Sequence, residues 1–236
     1  TYGNDYFLRI QYGLEHALAR EGYYLMICHI GSKNVSTLES IINENRIDGL
    51  VLLSELASPQ ILTVLRESKI PFVIAGRCVE PHSMWVDIDN IGAGWSATEC
   101  LLKTGALKIG FLTNSFQKVF VSERYEGYRN CLKQANVSVP ENAVIDGLTT
   151  SNEILSYITS HEGQLCDAYV ATDSTIAFYF LRELQKRGIL VPKDIQVIAF
   201  DDGILAEVSE PSMTVVKIDV MNLGMAAAKM LIQQLR

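Results

Sequence analysis

The sequence predicts an α/β protein in which two similar lobes each contain a parallel β-sheet. Segments with helical spacing of apolar residues alternate with short strand-like segments, which is typical of parallel strands joined by helical crossovers. The alternation restarts after a joint at residues 103–106. Several strand segments are apolar runs, such as residues 197–200, which suit strands covered on both faces. We therefore expect two sheets.

The first lobe is predicted to begin with a helix over residues 5–20, which stops at Gly22. Each later helix of this lobe follows a strand, whereas none precedes the first helix, so we expect a first strand upstream of the sequence given. The other predicted segments are a strand over 23–30, a helix over 36–45, a strand over 48–54, a helix over 59–68, strands over 71–76 and 84–88, and a helix over 91–103.

The second lobe repeats the pattern from residue 108 onward. A last helix, over 219–235, carries small and apolar residues that would have to dock on a lobe or on a partner. The segments between them are a strand over 108–113, a helix over 122–135, a weak strand near 143–146, a helix over 151–160, a strand over 167–172, a helix over 173–187, and strands over 195–200 and 213–218.

The composition bounds the class of protein. The 236 residues, 48% of them hydrophobic, suffice for one large or two modest domains. No apolar run approaches the ~20 residues of a membrane-spanning helix, so we expect a soluble protein. The net charge of −7 argues against nucleic-acid binding by this segment, because phosphate contacts need clustered Lys and Arg. Five cysteines, an odd number, favour buried free thiols in a reducing cytoplasm.

One motif matches a dinucleotide-binding fingerprint. Residues 92–97, GAGWSA, fit G-x-G-x-x-A, but the next strand ends in Thr113 and Asn114, where the fingerprint needs an acid. Close helix packing explains these small residues more simply. The four histidines lack metal-binding spacing, and the sequence has no nucleophile elbow or phosphate loop. We therefore predict no catalytic residue, no metal and no cofactor.

Polar residues follow the strands of the second lobe, at the edge where open α/β sheets bind ligands. Thr172 and Asp173 follow one strand, Asp201 follows another, and Arg124 opens the helix after a third. A guanidinium and carboxylates in one cleft could pair with the vicinal hydroxyls of a sugar. A structural ion pair or a helix N-cap would explain Arg124 and Asp201 equally well.

Several strings together resemble the effector-binding core of the LacI/GalR family of bacterial repressors, over essentially the whole chain. The resemblance implies two Rossmann-type lobes of the periplasmic-binding-protein-like type I fold, with hinge crossovers near residues 104 and 217. Residues 1–104 and 217–236 would form the N-terminal lobe and residues 105–216 the C-terminal lobe. The strings are RGILVPKDIQVIAFDD, EPSMTVV, VDIDNIGAG, RYEGYRNCLKQANV and DYFLRIQYGLEHALAREGY.

The resemblance also implies partners. It implies a helix-turn-helix domain upstream, so operator DNA would be bound only outside this segment. It further implies a homodimer formed through the lobes and a small effector, a sugar or a derivative, bound in the cleft. Effector binding would shift the population of lobe arrangements without any chemistry.

The resemblance assigns ligand-binding roles to particular residues. Arg124 matches the arginine of R-x-x-G-[YFW], and Asp201 matches the first acid of FDD, a usual acceptor of hydrogen bonds from sugar hydroxyls. Tyr6 and Phe7, which could stack on the apolar face of a sugar ring, match the aromatic pair after the first strand. The predicted ligand-binding set is Tyr6, Phe7, Ser54, Arg77, Arg124, Thr172, Asp173 and Asp201.

Three departures from the family pattern bear on the effector. The D-R pair is Gly76-Arg77, the N-D pair is Thr172-Asp173, and the glutamine at the second crossover is Ile218. Each change removes a hydrogen-bonding group, and unpaired buried polar groups cost ~1–3 kcal/mol each. We therefore expect a ligand larger or less polar than a plain pentose or hexose, such as a disaccharide, a sugar phosphate or a glycoside.

Two other functions stay open at this point. A secreted ribose-type sugar-binding receptor of a transport system would share the fold, although the cysteines and the string VPKDIQVIAFDD favour the repressor core. An α/β enzyme would need a nucleophile, a base or a phosphate loop that the sequence lacks. We therefore expect a cytoplasmic regulatory core that is not an enzyme and has no membrane association.

Overall fold

A computed structural model gives the fold of the protein. It describes residues 5–29, 35–53, 57–78, 80 and 83–236. The chain forms two compact units, of which unit 1 comprises Thr1–Ile88 and Asp219–Arg236, and unit 2 comprises Asp89–Ile218. Each unit contains one parallel sheet with helices, so the predicted α/β class with two lobes is confirmed.

Unit 1 contains a three-stranded sheet. Its described elements, numbered along the whole chain, are α1 (Asp5–Ala19), α2 (Val35–Asn43), β1 (Leu50–Leu53), α3 (Pro59–Ser68), β2 (Phe72–Ala75), β3 (Trp85–Val86) and α9 (Val220–Leu235). The strand order is β1-β2-β3, and both pairings are parallel. Buried aliphatic side chains, among them Leu38, Ile61 and Ile74, form a core between this sheet and α2 and α3.

The predicted strand over residues 23–30 is wrong for the residues that the structure describes. Residues 23–29 belong to neither sheet, and residue 30 lies outside the described part of the chain. The side chain of Tyr24 is 99% exposed, and those of Met26 and Ile27 are exposed as well. An apolar run forms a strand only where a neighbouring strand accepts its backbone hydrogen bonds. Among the described residues of unit 1, nothing pairs with this segment.

Helix α9 packs along α1 within unit 1, so of the two predicted alternatives, docking on a lobe or on a partner, the structure shows the first. A Cβ atom added to Gly13 would lie 2.1 Å from the backbone oxygen of Met221, and one added to Gly224 would lie 2.3 Å from that of Ile10. No larger residue fits at either position without moving a helix. The two helices therefore touch through their backbones.

Unit 2 contains a five-stranded sheet. Its elements are α4 (Asn90–Lys103), β4 (Ile109–Leu112), α5 (Val119–Gln134), β5 (Val144–Ile145), α6 (Ser151–Ser160), β6 (Ala168–Ala171), α7 (Ser174–Lys186), β7 (Gln196–Phe200), α8 (Ile204–Val208) and β8 (Thr214–Val216). The strand order is β5-β4-β6-β7-β8, with every pairing parallel. The strands β4 and β6 are buried along their whole length, as the apolar runs predict.

Helices α4 and α5 approach each other as closely as α1 and α9 do. A Cβ atom added to Gly94 would lie 2.1 Å from the backbone oxygen of Arg124, and one added to Gly127 would lie 2.0 Å from that of Ile91. This contact accounts for the second glycine of the GAGWSA motif. The first, Gly92, lies against the carboxylate of the helix cap that precedes α4. Helix packing and a helix cap thus explain the two glycines without a nucleotide.

The boundary between the units differs from the predicted one. The chain leaves unit 1 between Ile88 and Asp89, not near residue 104, and it returns between Ile218 and Asp219. The reason is the contact between α4 and α5, which places α4 in unit 2. The alternation of elements cannot reveal which of two sheets a helix packs against.

All five cysteines are free. Cys131 and Cys166 are buried as expected, and burial raises the pKa of both thiols. Cys28 and Cys100 are exposed, however, so the expectation of buried thiols is wrong for these two.

Candidate functional site

The carboxyl edge of the unit 2 sheet collects polar side chains from neighbouring strands. Asn114 follows β4, Thr172 and Asp173 follow β6, and Asp201 follows β7. Arg124 reaches the same edge from the second turn of α5. Parallel α/β sheets bind ligands at this edge, because the strand ends and the helix N-termini converge there.

Arg124 is buried, with only 4% of its surface exposed, and is held on several sides. Its Nη1 donates a hydrogen bond of 2.7 Å to the backbone oxygen of Thr172, and its Nε donates one of 3.2 Å to Oδ1 of Asn90. The guanidinium carbon lies 4.1 Å from the ring centroid of Phe200 and 5.0 Å from that of Phe120. Cation–π attraction strengthens when the cation is desolvated, so the two rings restrict this guanidinium.

Asp173 serves as the N-cap of α7. Its Oδ1 accepts a hydrogen bond of 2.9 Å from the backbone N–H of Ile176, and its Oδ2 accepts one of 3.1 Å from Nδ2 of Asn114. Burial raises the pKa of Asp173, although hydrogen bonds from the backbone and the charges of Lys118 and Arg124 oppose the rise. The helix-cap role therefore holds for Asp173, whereas Asp201 is not an N-cap, because Gly203 precedes α8.

Asp201 has the left-handed backbone conformation, with φ of 74°. It follows Phe200 directly, and its N–H donates a hydrogen bond of 3.3 Å to the backbone oxygen of Val216 on the neighbouring strand. Residues other than glycine adopt this conformation at a cost, of about 1–3 kcal/mol in strained cases, and such residues cluster at functional sites. The conformation turns the chain sharply at the end of β7, where the candidate site lies.

Two buried polar atoms at this edge have no hydrogen-bond partner within the described chain. They are Oγ1 of Thr172 and Oδ1 of Asn114. Buried polar atoms without partners are costly, so these atoms are where this edge has hydrogen-bonding capacity left for a ligand or for water. The predicted ligand-binding set does not include Asn114 or Asn90. For Asn114 a signal existed, because it lies two positions after the end of a buried strand, as Asp173 does.

The predicted site residues of unit 1 lie on different elements. Tyr6 and Phe7, in the first turn of α1, have ring centroids 5.5 Å apart at 88°. Arg77 lies in the segment after β2, where its guanidinium is 5.3 Å from the ring centroid of Trp85. The backbone N–H of Arg77 donates a hydrogen bond to the carboxylate of Asp87. The predicted site residue Ser54 lies outside the described residues.

The described residues show neither a metal-binding cluster nor a membrane-spanning helix. No group of three His, Cys, Asp or Glu residues there could hold a metal ion. None of the described helices is both long and apolar enough to cross a membrane.

Two parallel α/β units with hydrogen-bonding side chains at a sheet's carboxyl edge define a protein of the ligand-binding class. Residues 98–236 match the family model for the periplasmic binding protein-like domain, and the chain belongs to this family. The match covers all of unit 2 beyond the first turns of α4, and it also covers α9.

Named relatives are transcriptional regulators. The chain is 29% identical to the HTH-type transcriptional repressor PurR of Vibrio campbellii, over 99% of this chain and 72% of that protein. It is 28% identical to the HTH-type transcriptional regulator CelR of Thermobifida fusca, over 99% of this chain and 71% of that protein. These relatives confirm the predicted family of regulators and favour a ligand-sensing regulatory core over a transport protein.

Solved structures agree with this result. A complex of the transcriptional regulator CelR with cellobiose has a TM-score of 0.87 to this chain at 29% identity, and the match covers 98% of this chain and 72% of that one. A LacI-family regulatory protein from Chloroflexus aggregans has a TM-score of 0.90 at 20% identity, and the match covers 98% of this chain and 85% of that one. This similarity shows the shared fold. The predicted type I fold is confirmed.

Proposed function

We propose that this core senses a disaccharide or a similar sugar derivative and thereby controls operator binding by a cytoplasmic regulator. The observation that carries the proposal is the buried Arg124, whose guanidinium is fixed by Thr172 and Phe200 at the carboxyl edge of a parallel sheet. A fixed guanidinium can donate to a pair of ligand oxygens at little cost in side-chain entropy.

Two observations favour a disaccharide as the ligand. Thr172 and Gly76-Arg77 depart from the family pattern, which argues against a plain monosaccharide. The similar CelR structure holds cellobiose, a disaccharide. The proposed ligand contacts in unit 2 are Arg124, Thr172 and Asp201, with Asp173 in the supporting role of helix cap. Tyr6, Phe7, Arg77 and Ser54 are the proposed contacts of unit 1.

The binding claim is tested by titration calorimetry of the protein with cellobiose, maltose, ribose and galactose. We expect a disaccharide to bind and the two monosaccharides to bind far more weakly. Arg124→Ala should abolish detectable binding, because it removes the donors and leaves buried acceptors unpaired. Tight binding of ribose or galactose would contradict the proposed ligand class.

A matched control lies one turn further along the same helix. Arg129 is exposed and stacks on Tyr125, so Arg129→Ala removes the same side chain without touching the candidate site. Equal losses of affinity in the two variants would contradict a specific role of Arg124.

We also propose the partners. Operator DNA is contacted by a helix-turn-helix domain and not by this core, whose net charge is −7. The core acts as a homodimer and catalyses no reaction. Sedimentation of the protein at micromolar concentration tests the dimer, and a monomer with saturating ligand would exclude it. Chromatography of cellobiose after incubation with the protein tests for turnover.

A further inference from the structure

Asn90 is a polar residue buried to the same extent as the core. Only 2% of its surface is exposed, and it is the first residue of α4, directly after the cap Asp89. It is also the second residue of unit 2, because the chain leaves unit 1 after Ile88. A buried amide is tolerated where its donor and acceptor both find partners.

The amide of Asn90 serves two neighbouring side chains of α5. Its Oδ1 accepts a hydrogen bond of 3.2 Å from Nε of Arg124, and its Nδ2 donates one of 3.3 Å to Oε2 of Glu123. An amide side chain offers a separate acceptor for the guanidinium and a separate donor for the carboxylate. An aspartate would keep the acceptor for Arg124 and lose the donor to Glu123.

The helix backbones give this hydrogen bond little freedom. Gly94 lies against the backbone oxygen of Arg124, and Gly127 lies against that of Ile91, so the start of α4 cannot move toward α5 and is already in contact with it. The distance from Asn90 to Arg124 is therefore set by the packing of two helices. The guanidinium is also held by the oxygen of Thr172 and by the rings of Phe200 and Phe120.

We propose that Asn90 is a positioning residue that sets the orientation of the Arg124 guanidinium and ties it to the point where the chain enters unit 2. A ligand that binds at Nε of Arg124 would then affect the first turn of α4, which begins one residue beyond the crossover. The part of this inference that concerns the effector rests on the proposed function. The part that concerns Arg124 does not.

The ligand-independent part is tested by the Nε–H resonance of Arg124 in proton–nitrogen NMR, assigned by its loss in Arg124→Lys. Asn90→Ala should move this proton resonance upfield, because the acceptor is gone. Asn90→Asp should keep it downfield, because the carboxylate accepts the same hydrogen bond. Circular dichroism checks that both variants fold. An Arg124 resonance that is the same in Asn90→Ala and in the unchanged protein would overturn the proposal.

The ligand-dependent part uses cellobiose as the probe in calorimetric titrations. Asn90→Ala should weaken binding about tenfold, and Asn90→Asp should restore most of the affinity. Ser96→Ala, at an exposed position of the same helix, is the matched control and should bind as the unchanged protein does. If the unchanged protein does not bind cellobiose, the proposed ligand fails and the NMR result alone decides the role of Asn90.

Discussion

The guanidinium carbon of Arg124 lies 4.1 Å from the ring centroid of Phe200, the last residue of β7. A residue of a central strand therefore fixes the side chain that we propose as the principal ligand contact. The same strand continues directly into Asp201, so one short segment both holds the arginine and supplies a carboxylate.

Phe200→Leu should weaken ligand binding as well as stability. The change keeps an apolar side chain but removes the aromatic face under Arg124, and we expect a loss of about 1–2 kcal/mol in the free energy of unfolding and about fivefold in affinity. Chemical denaturation and calorimetry measure the two effects. Phe180→Leu is the matched control, because Phe180 is equally buried but packs on Tyr169. It should lose stability and keep its affinity.

Gly94→Ala should destabilise unit 2. The added methyl group would lie 2.1 Å from the backbone oxygen of Arg124, so α4 and α5 must separate, and we expect a cost of about 1–3 kcal/mol. Gly203→Ala is the control, since nothing lies within 4 Å of its added Cβ and its φ of −70° suits alanine. A loss in Gly203→Ala as large as that in Gly94→Ala, measured by urea denaturation, would argue against the steric explanation.

The backbone conformation of Asp201 predicts an order of stability between two variants that both lack the carboxylate. Asp201→Gly should be about 1 kcal/mol more stable than Asp201→Ala, because glycine adopts a φ of 74° without strain. Both variants should lose affinity for the disaccharide. Thermal unfolding of the pair measures the difference, and equal stabilities would show that the left-handed conformation is not retained.

The raised pKa of Asp173 predicts how stability depends on pH. Because burial raises this pKa in the folded state, the folded protein binds the proton more tightly than the unfolded chain does. The contribution of Asp173 to stability should therefore fall as pH rises from the ordinary aspartate pKa through the raised one. Asp173→Asn, which keeps a good N-cap, should remove this dependence. Urea denaturation at several pH values between 4 and 7 measures it.

Glu153 provides a control of opposite sign. Hydrogen bonds from the backbone and side chain of Thr149 and from the backbone of Thr150 lower its pKa. Its contribution should be present above the ordinary glutamate pKa and should be lost as pH falls through the lowered one. Glu153→Gln should therefore flatten the acid side of the profile, whereas the same trend in both variants would contradict the assignment.

Sequence patterns predicted the sheets because their strands are short apolar runs between helices. A run such as residues 197–200 is typical of a strand buried on both faces. The strand over residues 23–30 could not be predicted correctly, because strand formation depends on a partner that the segment itself does not contain. Membership of α4 in unit 2 depends in the same way on a contact between Gly94 and Arg124, thirty positions apart.

The site was predictable where a residue lies within two positions of the end of a strand. Thr172, Asp173 and Asp201 were found by that rule, and Asn114 obeys it but was not selected. Asn90 had no such signal, because an asparagine at the start of a helix usually serves as a cap. Its partner Arg124 lies 34 positions away, and only the packing of two helices brings them together.

The pairing of α1 with α9 has a consequence for synthesis on the ribosome. Unit 2 is one uninterrupted stretch, Asp89–Ile218, and all of its strands are translated before α9. Unit 1 must wait for α9, since Gly224 can meet Ile10 only once α9 has been translated. Unit 2 can therefore fold before unit 1, whose earlier-translated part stays open to chaperones until α9 is available.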